Sequence, residues 1–369
     1  MRRTRRAIEA TACGLLFAML MPAAAGAEGE IVPWGSNTHG TYDVPEPNTD
    51  FVAVAAGGLH SLGLKADGSI VAWGLNNGGQ CDVPAPNADF VDVAASYRHS
   101  LGLKSDGSIV AWGNNGDGQC DVPAPNADFV DVAAGYRHSL GLKSDGYIEA
   151  WGRNYDGQCD VPAPNADFVD VAAGFGHSLG LKSDGSIVAW GRNYRGQCDV
   201  PAPNVDSMGV AAGWYHNLGL KSDGSIVAWG DNDYGACDVP APNADFVDVA
   251  AGAGHSLGLK SDGSIVAWGR DLNGQCDVPA PNTDFVAVAA GGFHSLGIEG
   301  VVPPDPTGDL NCDGAIDFGD IDPFVLAMQS HAGYEAAFPD CNWLNGDCNY
   351  DGFVDFDDID AFVAILSGG

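Results

Sequence analysis

A 39-residue period runs through most of this chain. Trp34, Trp73, Trp112, Trp151, Trp190, Trp229 and Trp268 keep it, and so do His60, His99, His138, His177, His216, His255 and His294. One unit, starting at Phe90, reads FVDVAASYRHSLGLKSDGSIVAWGNNGDGQCDVPAPNAD. A unit this short cannot bury its apolar face alone, so neighbours must stack. Nothing in it has helical periodicity. The runs FVDVAA, HSLGLK, SIVAW and QCDVP are rich in β-formers and are bounded by Gly, Pro, Asn and Asp. Asp-Gly between the second and third runs predicts a two-residue hairpin loop. Four antiparallel strands per unit, repeated seven times, predict an all-β, seven-bladed β-propeller over residues 28–300. The chain enters at Glu30–Trp34, on a third strand, and leaves the repeats at Phe285–Ile298, on a first and a second. Closure therefore predicts one blade shared by the two ends, which hides the sheet edges.

These units resemble the regulator of chromosome condensation repeats. The resemblance is carried by AAG-x-x-HSLGLK, the Asp-Gly turn, the VAWG run and N-x-x-GQ, over about residues 30–298. It too implies a seven-bladed propeller. Similar secreted bacterial propellers bind a target with one face of the ring. The nuclear exchange role in that family does not carry over to an exported, acidic chain.

Export is read from residues 1–27, a signal peptide. Arg2, Arg3, Arg5 and Arg6 precede an apolar run over Thr11–Ala25, and Ala25-Gly26-Ala27 is the cleavage site. The run is too short for a span of about 30 Å of hydrocarbon. The expected location is secreted, extracellular or on the cell surface, by bacterial-type export. Without residues 1–27 the chain has 12 Lys and Arg against 48 Asp and Glu, a net charge of −36. Such a surface repels nucleic acid and anionic lipid and attracts cations.

Three features of the repeats suggest chemistry and are better read as structure. Gly176-His177-Ser178-Leu179-Gly180 and Gly254–Gly258 match G-x-S-x-G, but each opens a strand leading to a hairpin rather than a strand-to-helix elbow. The seven His lie on separate blades about 10 Å apart and cannot meet at one metal ion, so they are expected to be buried and hydrogen-bonded. Cys81, Cys120, Cys159, Cys198, Cys237 and Cys276 are likewise too far apart to bridge and are expected to be small buried residues.

Composition changes at a stiff linker, residues 301–308, and residues 309–369 carry two acidic loops. Asp309, Asn311, Asp313, Asp317 and Asp320 fall at loop positions 1, 3, 5, 9 and 12, and Asp347, Asn349, Asp351, Asp355 and Asp358 repeat the pattern. Gly314 and Gly352 stand at position 6, and Ala315 and Phe353 supply the position 7 carbonyl. This is a calcium loop written twice, so two calcium ions are expected. Apolar helical stretches follow each loop, at Pro323–Met328 and Ala361–Leu366, and the duplication resembles a type I dockerin. That resemblance implies a cohesin-like partner. Positions 10 and 11 are Phe318-Gly319 and Phe356-Asp357, where the family has a hydroxyl pair, and this counts against such a partner.

The seven units differ from one another mainly in two slots, the x-x of AAG-x-x-H and the stretch after Trp-Gly. Both lie at one end of an antiparallel blade. All six Arg beyond residue 27 fall there. A partner-binding face is expected around Tyr97, Arg98, Tyr136, Arg137, Arg153, Tyr155, Arg192, Tyr194, Trp214 and Tyr215, because Arg, Tyr and Trp dominate interface hot spots. The chain is thus expected to be a binding protein for an extracellular protein or glycan, with a calcium-stabilised tether, rather than an enzyme. A part in extracellular polysaccharide degradation and a structural spacer are the alternative readings.

Overall fold

The computed structural model describes residues 29–300, which hold twenty-one strands and no helix. The expected signal peptide, the linker, both calcium loops and the dockerin-like helices lie outside the described residues. Among the described residues, 29–300, no helix is long and apolar enough to cross a membrane.

Each repeat supplies three strands. In the unit from Phe90 the inner strand is Phe90–Ala95, the middle strand His99–Lys104 and the outer strand Ile109–Gly113. A bulge between Phe90 and Asp92 bends the inner strand near its start. The three runs coincide with FVDVAA, HSLGLK and IVAWG of the sequence. The expected fourth strand is absent: residues from Gln119 to Pro123 form a turn and coil. Two prolines in VPAP lack the N–H that a sheet ladder needs. Asn126 takes the ladder's place, since its Oδ1 accepts from Ile109 N and its Nδ2 donates to Ile109 O, both at 2.8 Å. The same two-pronged contact joins Asn87 to Ile70, Asn165 to Ile148 and Asn204 to Ile187. One side-chain amide per repeat thus caps the start of the outer strand.

The hairpin also differs from expectation. Leu103 pairs with Ile109, and Lys104 N donates to Ser108 O, leaving a three-residue loop, Ser105-Asp106-Gly107. Gly107 N donates to Lys104 O, and Gly107 sits at φ +78°. This is a type I turn followed by a left-handed residue, and glycine is favoured only in that last position.

The strands form six continuous sheets where seven separate blades were expected. Five have three strands. The sixth has six, in the order Phe285–Ala290, His294–Gly300, Gly29–Gly35, Phe51–Ala56, His60–Lys65, Ile70–Gly74. The N-terminal strand therefore lies beside the last two strands of the repeats, as the closure reading required. It also pairs with the next inner strand through Gly29 and Phe51, which merges two three-strand groups into one sheet.

The apolar core lies between repeats. Leu62, Leu64 and Ile70 of one repeat pack with Phe90, Val93 and Trp112 of the next, and Leu101, Leu103 and Ile109 pack with Phe129, Val132 and Trp151. Gly102 is required there, since a Cβ on it would lie 2.6 Å from the Phe90 ring. Polar groups tie the same interfaces. His60 Nε2 meets Ser100 Oγ at 2.9 Å, and the pattern continues through His99–Ser139, His138–Ser178, His177–Asn217, His216–Ser256 and His255–Ser295 to His294–Ser61. Seven contacts close the ring. Ser100 Oγ in turn donates to Gln80 O, which also accepts from Trp112 Nε1, each at 2.9 Å. With its proton committed to Gln80, Ser100 must accept from His60, so His60 is neutral with its proton on Nε2. Burial enforces this, pushing His60 and His99 down to about 3.

Ser207 breaks the pattern, standing where six repeats have Phe. It is buried, and its hydroxyl has no hydrogen-bond partner. Ser207→Phe should raise unfolding stability by about 1–3 kcal/mol, from restored apolar burial and removal of an unpaired hydroxyl. A urea midpoint that stays put or falls would show that the site has no room for the ring.

Candidate interaction face

The two variable slots meet at one end of the sheets. Asn114 N donates to Arg98 O, Arg153 N to Arg137 O and Arg192 N to Gly176 O, so the residues after Trp-Gly lie directly on those before His. All ten residues expected on the face are therefore at this end, in two concentric groups that the sequence did not distinguish.

The inner group surrounds the mouth of a central channel. Tyr97, Tyr136, Phe175 and Trp214 occupy the first slot in four consecutive repeats, where the other three have Gly58, Ala253 and Gly292. Tyr136 stacks on Phe175 at 4.1 Å between centroids, and Tyr97 lies 5.0 Å from Tyr136. Trp214 reaches across the mouth to Tyr97 at 6.3 Å and Phe293 at 5.9 Å, both edge-on. The small residues make this possible: a side chain on Gly58 would collide with the Tyr97 ring.

The outer group is exposed. Tyr155 is 82% exposed, Tyr194 78% and Leu272 74%, with Tyr234 close by in kind. Arginines connect the two groups. The Arg192 guanidinium lies over Phe175 at 5.7 Å and Tyr194 at 5.1 Å, and Arg270 lies over Phe293 at 5.2 Å and Tyr234 at 5.1 Å. Arg98, Arg137 and Arg153 stack on Tyr97, Tyr136 and Tyr155. Arg137 pairs with Asp117 at 3.0 Å, and Arg195 with Asp233 at 2.7 Å and Asp231 at 3.3 Å. Arg98, Arg153 and Arg270 have no carboxylate partner among the described residues. The lysines are otherwise engaged at the opposite end: Lys104 Nζ donates to Ala88 O at 2.8 Å and lies 4.5 Å from the centre of the Phe90 ring.

A second feature was missed in the sequence because its Asp looked like one more repeated structural residue. Asp92, Asp131, Asp170 and Asp248 hold one position of the inner strand, where the remaining repeats have Ala53, Gly209 and Ala287. Asp131 Oδ2 accepts from Val171 N at 3.2 Å, and Asp170 Oδ2 from Val210 N at 3.1 Å, so each carboxylate caps an unpaired N–H of the next inner strand. They retain some accessible surface yet are walled in by protein. Desolvation, together with repulsion from one another, pushes Asp92 and Asp131 up to about 7 and Asp170 well above its ordinary value; burial alone takes Asp248 to about 6. The presence of Asp in four repeats and Ala or Gly in three was the available signal.

The rejected chemistry stays rejected on geometry. Ser178 is fully buried, with its hydroxyl donating to Gln158 O at 2.8 Å. The repeat His are buried and hydrogen-bonded as expected, and among the described residues no three His, Cys, Asp or Glu are placed to hold a metal ion. The six repeat Cys are unbridged but only half-buried, a correction to the expectation of full burial. Each lies at the edge of the turn that replaced the fourth strand, with its thiol against a backbone carbonyl, Cys81 Sγ to Leu75 O at 3.5 Å. Burial and Asp82 push the Cys81 thiol up to about 11, so it is a poor nucleophile at neutral pH.

The inner-strand carboxylates bind protons more tightly in the folded chain than in the unfolded one. Their contribution is complete below the unfolded value of 3.8 and is lost as pH rises to about 7. Stability should therefore fall between pH 4 and 7, and Asp131→Asn with Asp170→Asn should flatten the slope. Chemical denaturation at a series of pH values tests this, and an unchanged slope in the double variant would refute it.

Comparison with known proteins follows the same lines. The family model described as "Regulator of chromosome condensation (RCC1) repeat" matches residues 51–80, 90–119, 129–158, 168–197, 209–236 and 246–275. The fifth match starts late, past Ser207. No curated protein sequence matches the chain. Among solved structures, Prp20p of Saccharomyces cerevisiae is similar at TM-score 0.64 and 20% identity, over 74% of this chain and 92% of that one; its description concerns binding to Gsp1p and histones. Human WBSCR16 is similar at TM-score 0.60 and 18% identity, covering 74% and 99%. The ectodomain of the Arabidopsis thaliana receptor kinase ACR4 is similar at 0.55 and 24%, covering 68% and 93%. At these identities the structures show a shared propeller fold. The chain carries six regulator of chromosome condensation repeats between Phe51 and Gln275, folded as an all-β propeller of three-stranded units.

Proposed function

We propose that this chain is an exported protein-binding propeller, and that its partner docks on the face formed by Tyr97, Arg98, Tyr136, Arg137, Arg153, Tyr155, Arg192, Tyr194, Trp214 and Tyr215. The observation that carries the reading is the convergence of these residues into an aromatic centre with arginines stacked outward from it. Rigid aromatic and guanidinium groups at the centre of a surface lose little entropy on binding. Propellers of this repeat type are generally binding or exchange-factor proteins, which agrees. The His–Ser contacts, seven in a closed circle, support counting the double sheet as two blades and the ring as seven-bladed. The basic and apolar segments of residues 1–27 support export, and the duplicated acidic loops support two bound calcium ions, held by the residues from Asp309 to Asp320 and from Asp347 to Asp358. The calcium loops would serve as a tether for the propeller.

Alanine substitution tests the face. With a partner recovered from the culture medium, Trp214→Ala and Arg192→Ala should each weaken binding by about 1–3 kcal/mol. Asp106→Ala, at the hairpin end, should leave it unchanged. Loss of affinity at the hairpin end alone would place the interface on the wrong face. For the loops, calorimetry on the full chain should give two calcium equivalents, reduced by one in Asp309→Ala and by one in Asp347→Ala. Absence of calcium uptake would refute that assignment.

A further inference from the structure

The channel mouth has the chemistry of a receptor for an organic cation. The cavity there has a lopsided lining. On one side stand Tyr97, Tyr136, Phe175 and Trp214, and on the other lie only backbone and the small residues Gly58, Gly252, Gly291 and Gly292. Backbone carbonyls join the repeats at this wall: Gly252 O, Gly291 O and Gly57 O each accept one backbone N–H from the neighbouring repeat, at 3.1, 3.2 and 3.0 Å. A carbonyl has two lone pairs, so each retains capacity for another donor. Further along the same strands come the carboxylates. Asp92 is three residues before Ala95 at the cavity wall, about 10 Å along the channel at ~3.3 Å per residue.

Trp214 is distinctive among the inner aromatic residues. Tyr97, Tyr136, Phe175 and Phe293 each have an arginine of this chain over the ring, and Trp214 has none among the described residues. Indole offers the strongest ring face for a cation. A bare metal ion does not fit, because among the described residues no three His, Cys, Asp or Glu side chains converge there. A long side chain with a terminal cation does fit: its methylenes would lie against the aromatic wall, with its head among the carbonyls and toward Asp92, Asp131, Asp170 and Asp248.

We propose that the mouth receives the ammonium or guanidinium end of a lysine or arginine side chain presented by the partner protein. This rests on the binding-face reading above and adds the chemistry of its central contact. The titratable and charged groups around the channel are those four carboxylates, the hydroxyls of Tyr97 and Tyr136, and the guanidinium groups of Arg98, Arg137, Arg192 and Arg270 over the surrounding rings. The neighbouring imidazoles, His99 and His138 included, remain neutral, having been pushed down to about 3. A cation in the mouth would favour the ionised carboxylates, so binding should strengthen as pH rises from 5 to 8, with proton release.

The test uses n-butylammonium and butylguanidinium as probes on the full chain, by calorimetry and by chemical shift of the indole N–H. Both cations should bind saturably, with n-butanol and butyrate failing to bind. Trp214→Ala should weaken the cations roughly fivefold or more, and Trp214→Phe by less. Asp131→Asn with Asp170→Asn should weaken them and abolish the pH dependence, while Asp67→Asn and Asp106→Asn at the hairpin end should do neither. Equal binding of n-butanol, affinity indifferent to Trp214, or displacement of the probes by calcium would each overturn the proposal. Failure here with Arg192→Ala still weakening the partner would leave the binding face standing. Success here with an unaffected partner would refute the face alone.

Discussion

A backbone carbonyl of the preceding repeat, such as Gln80 O, holds each sheet to its neighbour. It accepts the indole N–H of Trp112 and the hydroxyl of Ser100, and the hydroxyl can then accept only from His60, the imidazole of the preceding repeat. All of these groups are fully or nearly fully buried. An unpaired polar group in such a place costs about 1–3 kcal/mol, so no repeat is satisfied until both neighbours are present. The requirement passes around the circle and ends only when His294 meets Ser61 and Trp34 Nε1 meets Gln275 O at 3.0 Å. The apolar packing follows the same rule, because each such Phe joins its own middle strand to the preceding repeat, as Phe90 does in packing with Leu62, Leu64 and Ile70.

The rigidity of this frame lets the two variable slots differ freely. Their side chains project from the strand ends, outside the interfaces, so substitutions there leave the His–Ser–carbonyl contacts intact. Asymmetry arises from size. Four large first-slot residues in succession and three small ones leave room on one side of the mouth, and Trp214 fills part of it. The channel carboxylates follow the same division, with Asp in four repeats and Ala or Gly in three. Their raised proton affinity comes first from burial, with mutual repulsion adding to it at Asp92, Asp131 and Asp170.

Much of the fold was legible because repetition supplies its own comparison. Phe90, His99, Trp112 and their copies recur at 39 residues, and a residue that recurs with its neighbours changed must be meeting another copy. The three strands and the end-to-end closure followed from this. The fourth strand did not, because QCDVP has the composition of a strand, while the Asn126 amide, from outside the run, satisfies the backbone it would have paired with. The three-residue hairpin loop was hidden likewise: Asp-Gly signals a turn, but the register of Leu103 against Ile109 sets its length.

The sequence by itself determined the repeat, the three strands, the burial of the repeat His, and the end of the molecule at which variation and all six arginines collect. These depend on period and residue type, which can be read along the chain. Tertiary structure alone decided that Trp214 reaches Tyr97 and Phe293, more than a hundred and nearly eighty residues away, that Arg192 lies over both Phe175 and Tyr194, and that Asp92, Asp131 and Asp170 repel one another across repeats. Those relations depend on curvature. Only when the sheets close on themselves do side chains from distant repeats point toward a common axis, and a period read along the chain carries no information about distance across the ring.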